Sequence, residues 1–250
     1  MKKEMRGKIL FWTIVGALVL GGGLQAFVEQ RQATSAFSAA RAAGETVVID
    51  AGHGGEDGGA VTSSGVPESG INLAIALRLD SLLGFYGVQT KVLRTTDISL
   101  HDSTAKTLRE KKVSDLHNRV AIVEATENAT LISIHQNKFS SARYHGAQVF
   151  YTNEALSLPF ATLTQNLLKE TLDPANIRTP AQIPDNVYLM NHITCRAILV
   201  ECGFLSNPEE ARKLQTPVYQ EKIAVALAGS FLQFQGTEPP STEGELPNEG

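Results

Sequence analysis

Four side chains that can bind a metal ion or move a proton stand out in the sequence: two histidines and two glutamates. His53, His135 and Glu201 each follow a short apolar run typical of a buried strand. In an open α/β sheet, ligands collect beyond the carboxyl ends of the strands, so we expect these three side chains to converge. Glu68 follows the glycine-rich loop 52–59, which can fold tightly enough to bring it beside His53.

This set of side chains predicts a catalytic zinc site. Structural zinc sites are closed and usually rich in thiolates, whereas catalytic sites keep one position open to water. The two cysteines, Cys195 and Cys202, lie seven apart in one extended run, so their side chains point to opposite faces and we expect free thiols. Since no CxxC motif is present either, we expect a site of His and Glu ligands. A zinc ion held in this way activates water for hydrolysis. Glu201 is then predicted to accept the water proton and pass it to a leaving amine.

Each of these residues also has a purely structural interpretation. His53 could be a surface loop residue, and His135 could be a core histidine. Glu68 could be an acid that is favoured by the dipole at a helix N-terminus. Glu201 could be a buried structural acid that Arg196 neutralises. The joint placement at predicted strand ends favours the functional interpretation.

The glycine-rich loop and the remaining histidines are two further candidates for functional sites. The glycine-rich loop could hold a phosphate, but Asp57 occupies the last glycine position of GxGxxG and no GK[ST] motif follows. The remaining histidines lie in polar or turn-like segments and are predicted to be on the surface: His101, His117, His145 and His192.

Apolar patterns predict the elements that must position the site. Strands are expected at 46–49, 88–93, 131–134, 147–151 and 197–200. Helices are expected from Ser69, as a capping residue, to about 83, near 107–126, at 155–172, from Pro208 to 214, and over a last stretch marked by apolar residues from 223 to 234. The alternation predicts a single α/β catalytic domain, with a mostly parallel, mixed sheet of about five to six strands and helices on both faces.

The N-terminal segment 1–28 is predicted to be a signal peptide or a membrane anchor. Residues 1–8 carry four basic side chains and one acid, and 9–28 is long and apolar enough to span a bilayer. A buried core helix is the alternative, but the basic flank argues against it and predicts an exported C-terminal part. The small residues that could precede a cleavage site lie far from the apolar run, which favours a retained anchor: Ala36, Ser38 and Ala40.

The remaining segments complete the predicted organisation. Residues 29–44 are expected to be a linker, 45–235 the catalytic domain, and 236–250 a disordered acidic tail with four glutamates and no base. The chain has 250 residues, 42% of them hydrophobic, and a net charge of −4. This balance argues against a nucleic-acid partner, because nucleic-acid binders normally carry a basic stripe.

Taken together, the motifs resemble the zinc-dependent N-acetylmuramoyl-L-alanine amidases (amidase type 3). The matching blocks occur in family order: Val48–Gly55, Pro67–Glu68 with Asn72–Leu73, Val92–Asp97, Leu116 with Arg119–Val120, Ser133–Asn137 and Leu199–Asn207. The resemblance covers 46–234. Gln136, Arg196 and Gly58 depart from the usual family pattern, but none of these departures removes a ligand.

The resemblance implies a zinc amidase with His53, Glu68 and His135 as metal ligands and Glu201 as the catalytic acid and base. It implies hydrolysis of the amide between N-acetylmuramic acid and L-alanine in peptidoglycan, outside the cytoplasm. The insert Ile98–Asp115, with its basic residues, resembles the sporulation-specific subgroup that removes peptides in spore cortex before muramic-δ-lactam forms. We also hypothesise an activating protein partner, because the short blocks leave no evident autoinhibitory helix.

Several other functions remain as alternatives. An inactive amidase-like domain could bind wall peptides or regulate a partner, and a general vegetative autolysin would use the same chemistry. A zinc carboxypeptidase is disfavoured because its His and Glu ligands lie three residues apart, whereas His53 and Glu68 are fifteen apart. A polysaccharide deacetylase is disfavoured because its closely spaced histidines with an Asp are not found in the sequence.

Overall fold

A six-stranded sheet is the centre of the part of the chain that the structure, a computed structural model, describes: residues 44–235. The strands are β1 (Thr46–Ala51), β2 (Gln89–Val92), β3 (Ala129–Asn137), β4 (Gln148–Tyr151), β5 (Ala181–Gln182) and β6 (Arg196–Phe204). Their spatial order is β2-β1-β3-β6-β4-β5. The first four strands in this order are parallel, β4 is antiparallel to β6, and β5 is parallel to β4. The predicted mostly parallel, mixed sheet is therefore confirmed.

Within residues 44–235, six helices cover the two faces of this sheet. They are α1 (Glu68–Phe85), α2 (Leu108–Glu124), α3 (Glu154–Leu172), α4 (Tyr188–Asn191), α5 (Pro208–Leu214) and α6 (Pro217–Gln235). One hydrophobic core lies between the sheet and the helices α1, α3, α5 and α6, and a smaller one lies against α2 and α4. The predicted arrangement of helices on both faces is therefore confirmed.

The central strands are apolar on both faces because helices cover both faces. In β3, Ile132 and Ile134 belong to the larger core, while Leu131 belongs to the smaller one. In β6, Val200 and Leu199 divide in the same way. Strands of this kind have continuous apolar sequences rather than an alternating pattern, as the sequence shows.

The start of α1 differs from the prediction. Ser69 does not cap the helix, which begins at Glu68 after Pro67 without a side-chain cap. The reason is that carbonyls of the glycine-rich loop accept the first helical N–H groups: Ala60 from Glu68 at 2.8 Å and Gly58 from Ser69 at 3.2 Å. At the other end of α1, Gly87 follows the C-cap residue Tyr86 with a φ of +75°, a backbone conformation that glycine adopts readily.

Two elements were not predicted from the sequence. The strand β5 has two residues and the helix α4 has four, so neither is long enough to show a hydrophobic period. No helix within residues 44–235 is long and apolar enough to cross a membrane. The predicted N-terminal anchor or signal peptide 1–28, the linker up to residue 43 and the tail 236–250 lie outside the described residues.

Candidate metal centre

The four predicted site residues lie at the carboxyl edge of the parallel strands. His53 is in the loop after β1, and Glu68 is the first residue of α1. The strands run further than predicted, so His135 lies within β3 and Glu201 lies within β6. The two residues are register partners in the pairing of β3 with β6. The expected convergence at one sheet edge is therefore observed, although two residues are inside strands rather than after them.

Three of these side chains form a compact group of potential metal ligands. His53 Nε2 lies 3.1 Å from Glu68 Oε1, and His135 Nδ1 lies 3.7 Å from Glu68 Oε2. One nitrogen or oxygen atom from each residue lies within 4.8 Å of the others. The two imidazole rings meet edge to face, with centroids 5.0 Å apart. Nitrogen and oxygen donors at this spacing can converge on a single ion.

Two glycines of the loop make room for these ligands. A Cβ at Gly52 would lie 2.2 Å from the ring of His135. A Cβ at Gly59, which has a φ of +68°, would lie 2.3 Å from Glu68 Oε1 and 2.6 Å from the ring of His53. The loop is therefore glycine-rich at these positions because side chains would displace the potential ligands.

The carboxylate of Glu68 is buried and held in place by three donors. The backbone N–H of Ala60 donates to Oε1 at 2.7 Å, and that of Gln136 donates to Oε2 at 2.8 Å. The side-chain amide of Asn72 also donates to Oε2, at 3.3 Å. Burial acts to raise the pKa of Glu68, but hydrogen bonds and charges of His135 and His53 outweigh it, so the pKa lies well below its ordinary value.

The surroundings of His53 favour a positive charge at this point. Burial acts to lower its pKa, but hydrogen bonds with Asp57 and Glu68, together with their charges, raise it to about 9. In the protein without metal, a proton on His53 therefore supplies positive charge between carboxylates. A cation bound by the same donors would supply that charge instead, which is the environment that a metal centre requires.

Two buried arginines fix the backbone that carries His53. Arg94 donates to the carbonyls of Ala51 at 2.9 Å and Gly52 at 3.1 Å. Arg119 donates to the carbonyl of His53 at 2.8 Å. In the sequence, these arginines are recognisable only as members of matching motifs, and this role could not be predicted. The sequence did carry a signal for Arg119, because this charged residue lies on the helical face that the apolar residues of its helix share.

Glu201 lies near the ligand group but differs from it in environment. Within the described residues, its Oε2 atom is buried and has no hydrogen-bond partner. Burial raises its pKa from 4.5 to about 7, and the nearby charges of His135 and Glu68 act in opposite directions. Arg196 does not neutralise it: the Arg196 guanidinium pairs with Glu45 at 3.1 Å. A carboxyl group with a pKa near 7 can take up and release a proton at neutral pH.

The site opens into a cavity of about 430 Å³. His53, His135 and Glu201 form part of its lining, and residues of α2 and α4 form another part, including Lys112, Leu116, Tyr188 and Met190. The cavity thus places apolar surface beside the titratable groups, as in small-molecule and peptide sites. Of the other histidines, His101 is half-buried. The remaining three are exposed: His117, His145 and His192.

An α/β sheet that presents two imidazoles and a carboxylate next to an unneutralised acid is typical of metal-dependent hydrolases. The family model for N-acetylmuramoyl-L-alanine amidases (Amidase_3) matches residues 47–232. The chain therefore belongs to the N-acetylmuramoyl-L-alanine amidase family. This confirms the family resemblance and the class of enzyme that the sequence predicted.

Individual relatives agree with this assignment. The germination-specific N-acetylmuramoyl-L-alanine amidase of Bacillus subtilis is 34% identical over 200 residues, which are 79% of this chain and 83% of the relative. The structure of the CwlD amidase from Clostridioides difficile in complex with the GerS lipoprotein is 37% identical, with a TM-score of 0.72 over 74% of this chain and 95% of that chain. The catalytic domain of CwlV from Bacillus (Paenibacillus) polymyxa var. colistinus is 28% identical, with a TM-score of 0.62 over 76% and 97% of the two chains.

Proposed function

We propose that this protein is a zinc-dependent amidase that hydrolyses the bond between N-acetylmuramic acid and L-alanine in bacterial peptidoglycan. The observation that carries the proposal is the combination, at one cavity, of a His–Glu–His donor group with Glu201, whose Oε2 atom is buried without a hydrogen-bond partner among the described residues. Membership of the amidase family supports the choice of bond.

The donor set fits zinc. His53, Glu68 and His135 would hold the ion, and their two nitrogen donors and one carboxylate are a combination found in catalytic zinc sites. When bound, the ion supplies Lewis-acid polarisation of the amide carbonyl and of the attacking water. Neither cysteine belongs to the donor group, and both are free thiols.

Glu201 is proposed to move the proton. Its carboxylate accepts a proton from the attacking water and delivers that proton to the nitrogen of the leaving alanine. The buried setting of its Oε2 atom keeps the carboxylate basic enough for the first step and acidic enough for the second, since its pKa is about 7. The apolar residues of α2 and α4 would exclude bulk water from the bound substrate.

We further propose that the substrate is spore cortex, where removal of peptides precedes formation of muramic-δ-lactam. The germination-specific name of the Bacillus subtilis relative supports this role. A general vegetative autolysin is the alternative of the same chemistry. An inactive wall-binding domain is disfavoured because all four site positions hold functional side chains at one sheet edge.

The proposed setting is outside the cytoplasm, with the chain exported and either anchored through residues 1–28 or released to the cell wall. The relative from Clostridioides difficile is described in complex with a lipoprotein. We therefore propose that an activating protein partner also binds this chain.

Mass spectrometry of digested peptidoglycan tests the reaction. Purified vegetative and cortex sacculi are incubated with the full chain and zinc, with His135→Ala as the inactive control. We expect free peptides that begin with alanine, together with intact muramic acid, released faster from cortex. Deacetylated glycan or released terminal amino acids would contradict the amidase proposal, and equal rates on both substrates would contradict the cortex role.

A further inference from the structure

The loop that carries His53 contains two adjacent acids, each paired with a lysine of α2. Glu56 pairs with Lys111 at 2.6 Å, and Asp57 pairs with Lys112 at 3.1 Å. The two pairs have the same charges and neighbouring positions. The two acids differ in their second contact: Asp57 Oδ2 also lies 3.0 Å from Nδ1 of His53.

This contact determines which nitrogen of His53 is available as a ligand. Nε2 faces Glu68 within the donor group, while Nδ1 faces Asp57 on the opposite side of the ring. A ring nitrogen that binds a metal ion must present a lone pair, so the ring proton must be on the other nitrogen. A carboxylate that accepts this N–H fixes both the tautomer and the orientation of the ring.

Asp57 is itself held in place. Its second oxygen, Oδ1, accepts from Lys112 Nζ at 3.1 Å and from the backbone N–H of Gly59 at 3.3 Å. The carboxylate is thus fixed in the orientation that faces the imidazole. The backbone of His53 has a φ of +61°, which is uncommon for a residue other than glycine, and Arg119 holds its carbonyl. Backbone and ring are therefore fixed by separate contacts.

We propose that Asp57 is a positioning residue of the metal centre. Its carboxylate holds the ring of His53 in the tautomer and orientation that allow Nε2 to bind the ion. The inference rests on the proposed metal site and goes beyond it by assigning a residue outside the ligand set. Lys112 supports Asp57, but its side chain is 49% exposed, so it contributes less. The neighbouring pair of Glu56 and Lys111 has no part in this chain of contacts.

The experiment measures Zn²⁺ affinity of the full chain by competition with a chromophoric chelator. Asp57→Ala is expected to bind Zn²⁺ about 10- to 100-fold more weakly than the wild type, which is the usual loss for the carboxylate behind a ligating histidine. Asp57→Asn keeps one acceptor oxygen and should lose less. Glu56→Ala removes the same charge from the same loop and should bind Zn²⁺ as the wild type does. Lys112→Met should weaken binding slightly, whereas Lys111→Met should not.

A spectroscopic measurement separates positioning from a general structural effect. In the zinc-loaded wild type and Glu56→Ala, the Nδ1 proton of His53 should give a downfield, slowly exchanging ¹H resonance because it is hydrogen-bonded. This resonance should be lost in Asp57→Ala. If Asp57→Ala does not fold, Zn²⁺ binding of Asp57→Asn is compared with that of Glu56→Gln. Weaker binding by Asp57→Asn supports the inference, and equal binding by the two variants overturns it.

Two outcomes would overturn the inference: wild-type Zn²⁺ affinity in Asp57→Ala, or an equal loss in Glu56→Ala. Failure of the proposed function would be recognised separately. In that case the wild type itself would not bind Zn²⁺, or His53→Ala would bind it as tightly as the wild type.

Discussion

Among the single residues, Glu201, the proposed proton-transfer group, opposes the stability of the fold. Its Oε2 atom is buried without a hydrogen-bond partner among the described residues, and burial raises its pKa to about 7. The fold therefore favours the protonated form. As the pH rises from 4.5 to 7, the unfolded chain releases this proton before the folded chain does, so this group makes the protein less stable across that window.

Glu201→Gln should therefore stabilise the zinc-free protein at pH 8 and have little effect at pH 4.5. A pKa raised from 4.5 to about 7 corresponds to a stability difference on the order of 3 kcal/mol. Urea unfolding at the two pH values measures this difference. Glu221→Gln, the same change at an exposed position of α6, serves as control. Equal effects of Glu201→Gln at both pH values would show that burial does not raise this pKa.

At the scale of elements, α2 begins with a capping box. Thr107 Oγ1 accepts from the N–H of Glu110 at 3.2 Å, and Glu110 Oε2 accepts from the N–H of Thr107 at 2.9 Å. The first two turns after this cap carry Lys111 and Lys112, which contact the loop of His53. The cap therefore stabilises the end of the helix that faces the site.

Thr107→Ala should lower the free energy of unfolding by about 1 kcal/mol, because the N–H of Glu110 loses its acceptor. For a domain of this size, the Tm should fall by about 2–4 °C. Thermal unfolding followed by circular dichroism measures the change. Thr104→Ala, the same substitution in the exposed loop before the helix, should leave the Tm unchanged. An equal fall in both variants would mean that the cap bond is not the cause.

The elements also show which parts of the fold the sequence could predict. Helices with a clear start or end were found within a few residues: α3 follows Asn153 as its N-cap, and α5 begins at Pro208. The cap at Ser69 was wrong because distant loop carbonyls accept the helical N–H groups, and no local pattern reports such contacts. The strands β3 and β6 were predicted too short because the polar residues His135 and Glu201 interrupt their apolar runs, although both residues are still paired in the sheet.

At the scale of the whole molecule, one buried polar network joins the sheet to α2. Arg119 pairs with Asp50 of β1 and with Asp115, the latter at 2.7 Å, and Ser133 of β3 donates to Asp50 at 2.7 Å. Burial acts to raise the pKa of Asp50, but the charges of Arg119 and His135 and the hydrogen bonds from Ser133 and Arg119 together outweigh it and hold the pKa below its ordinary value of 3.8. The stability that this carboxylate contributes is therefore present above pH 3.8 and is lost as the pH falls through its lowered pKa.

Arg119→Met should destabilise the protein by about 3–5 kcal/mol at pH 7, because Asp50 is left charged and buried without a partner. Adding Asp50→Asn should recover part of this loss, since it removes the unpaired charge. Urea unfolding of the two single variants and the double variant measures the coupling. Strict additivity of the two changes would contradict a direct ion pair.

Some residues of the candidate site could be predicted from the sequence, and others could not. The histidines and glutamates could be predicted because their types are chemically specific and parallel strands present their ends at one edge. The residues that hold them could not. Arg119 contacts Asp50 across 69 positions of the sequence, and Asp57 acts through a ring orientation that depends on the folded loop. Such contacts require the register of helix and strand, which no single-sequence pattern supplies.

In the proposed mechanism, His53, Glu68 and His135 hold a zinc ion while Glu201 moves the proton. The most direct test measures zinc content and amidase turnover of Glu201→Gln on a muramoyl-peptide substrate, beside the wild type and His135→Ala. Glu201→Gln should retain zinc and lose about 100-fold or more in turnover, because its amide cannot accept the proton. His135→Ala should lose both zinc and turnover. Wild-type turnover in Glu201→Gln, or full zinc content in His135→Ala, would show that these residues do not have the proposed roles.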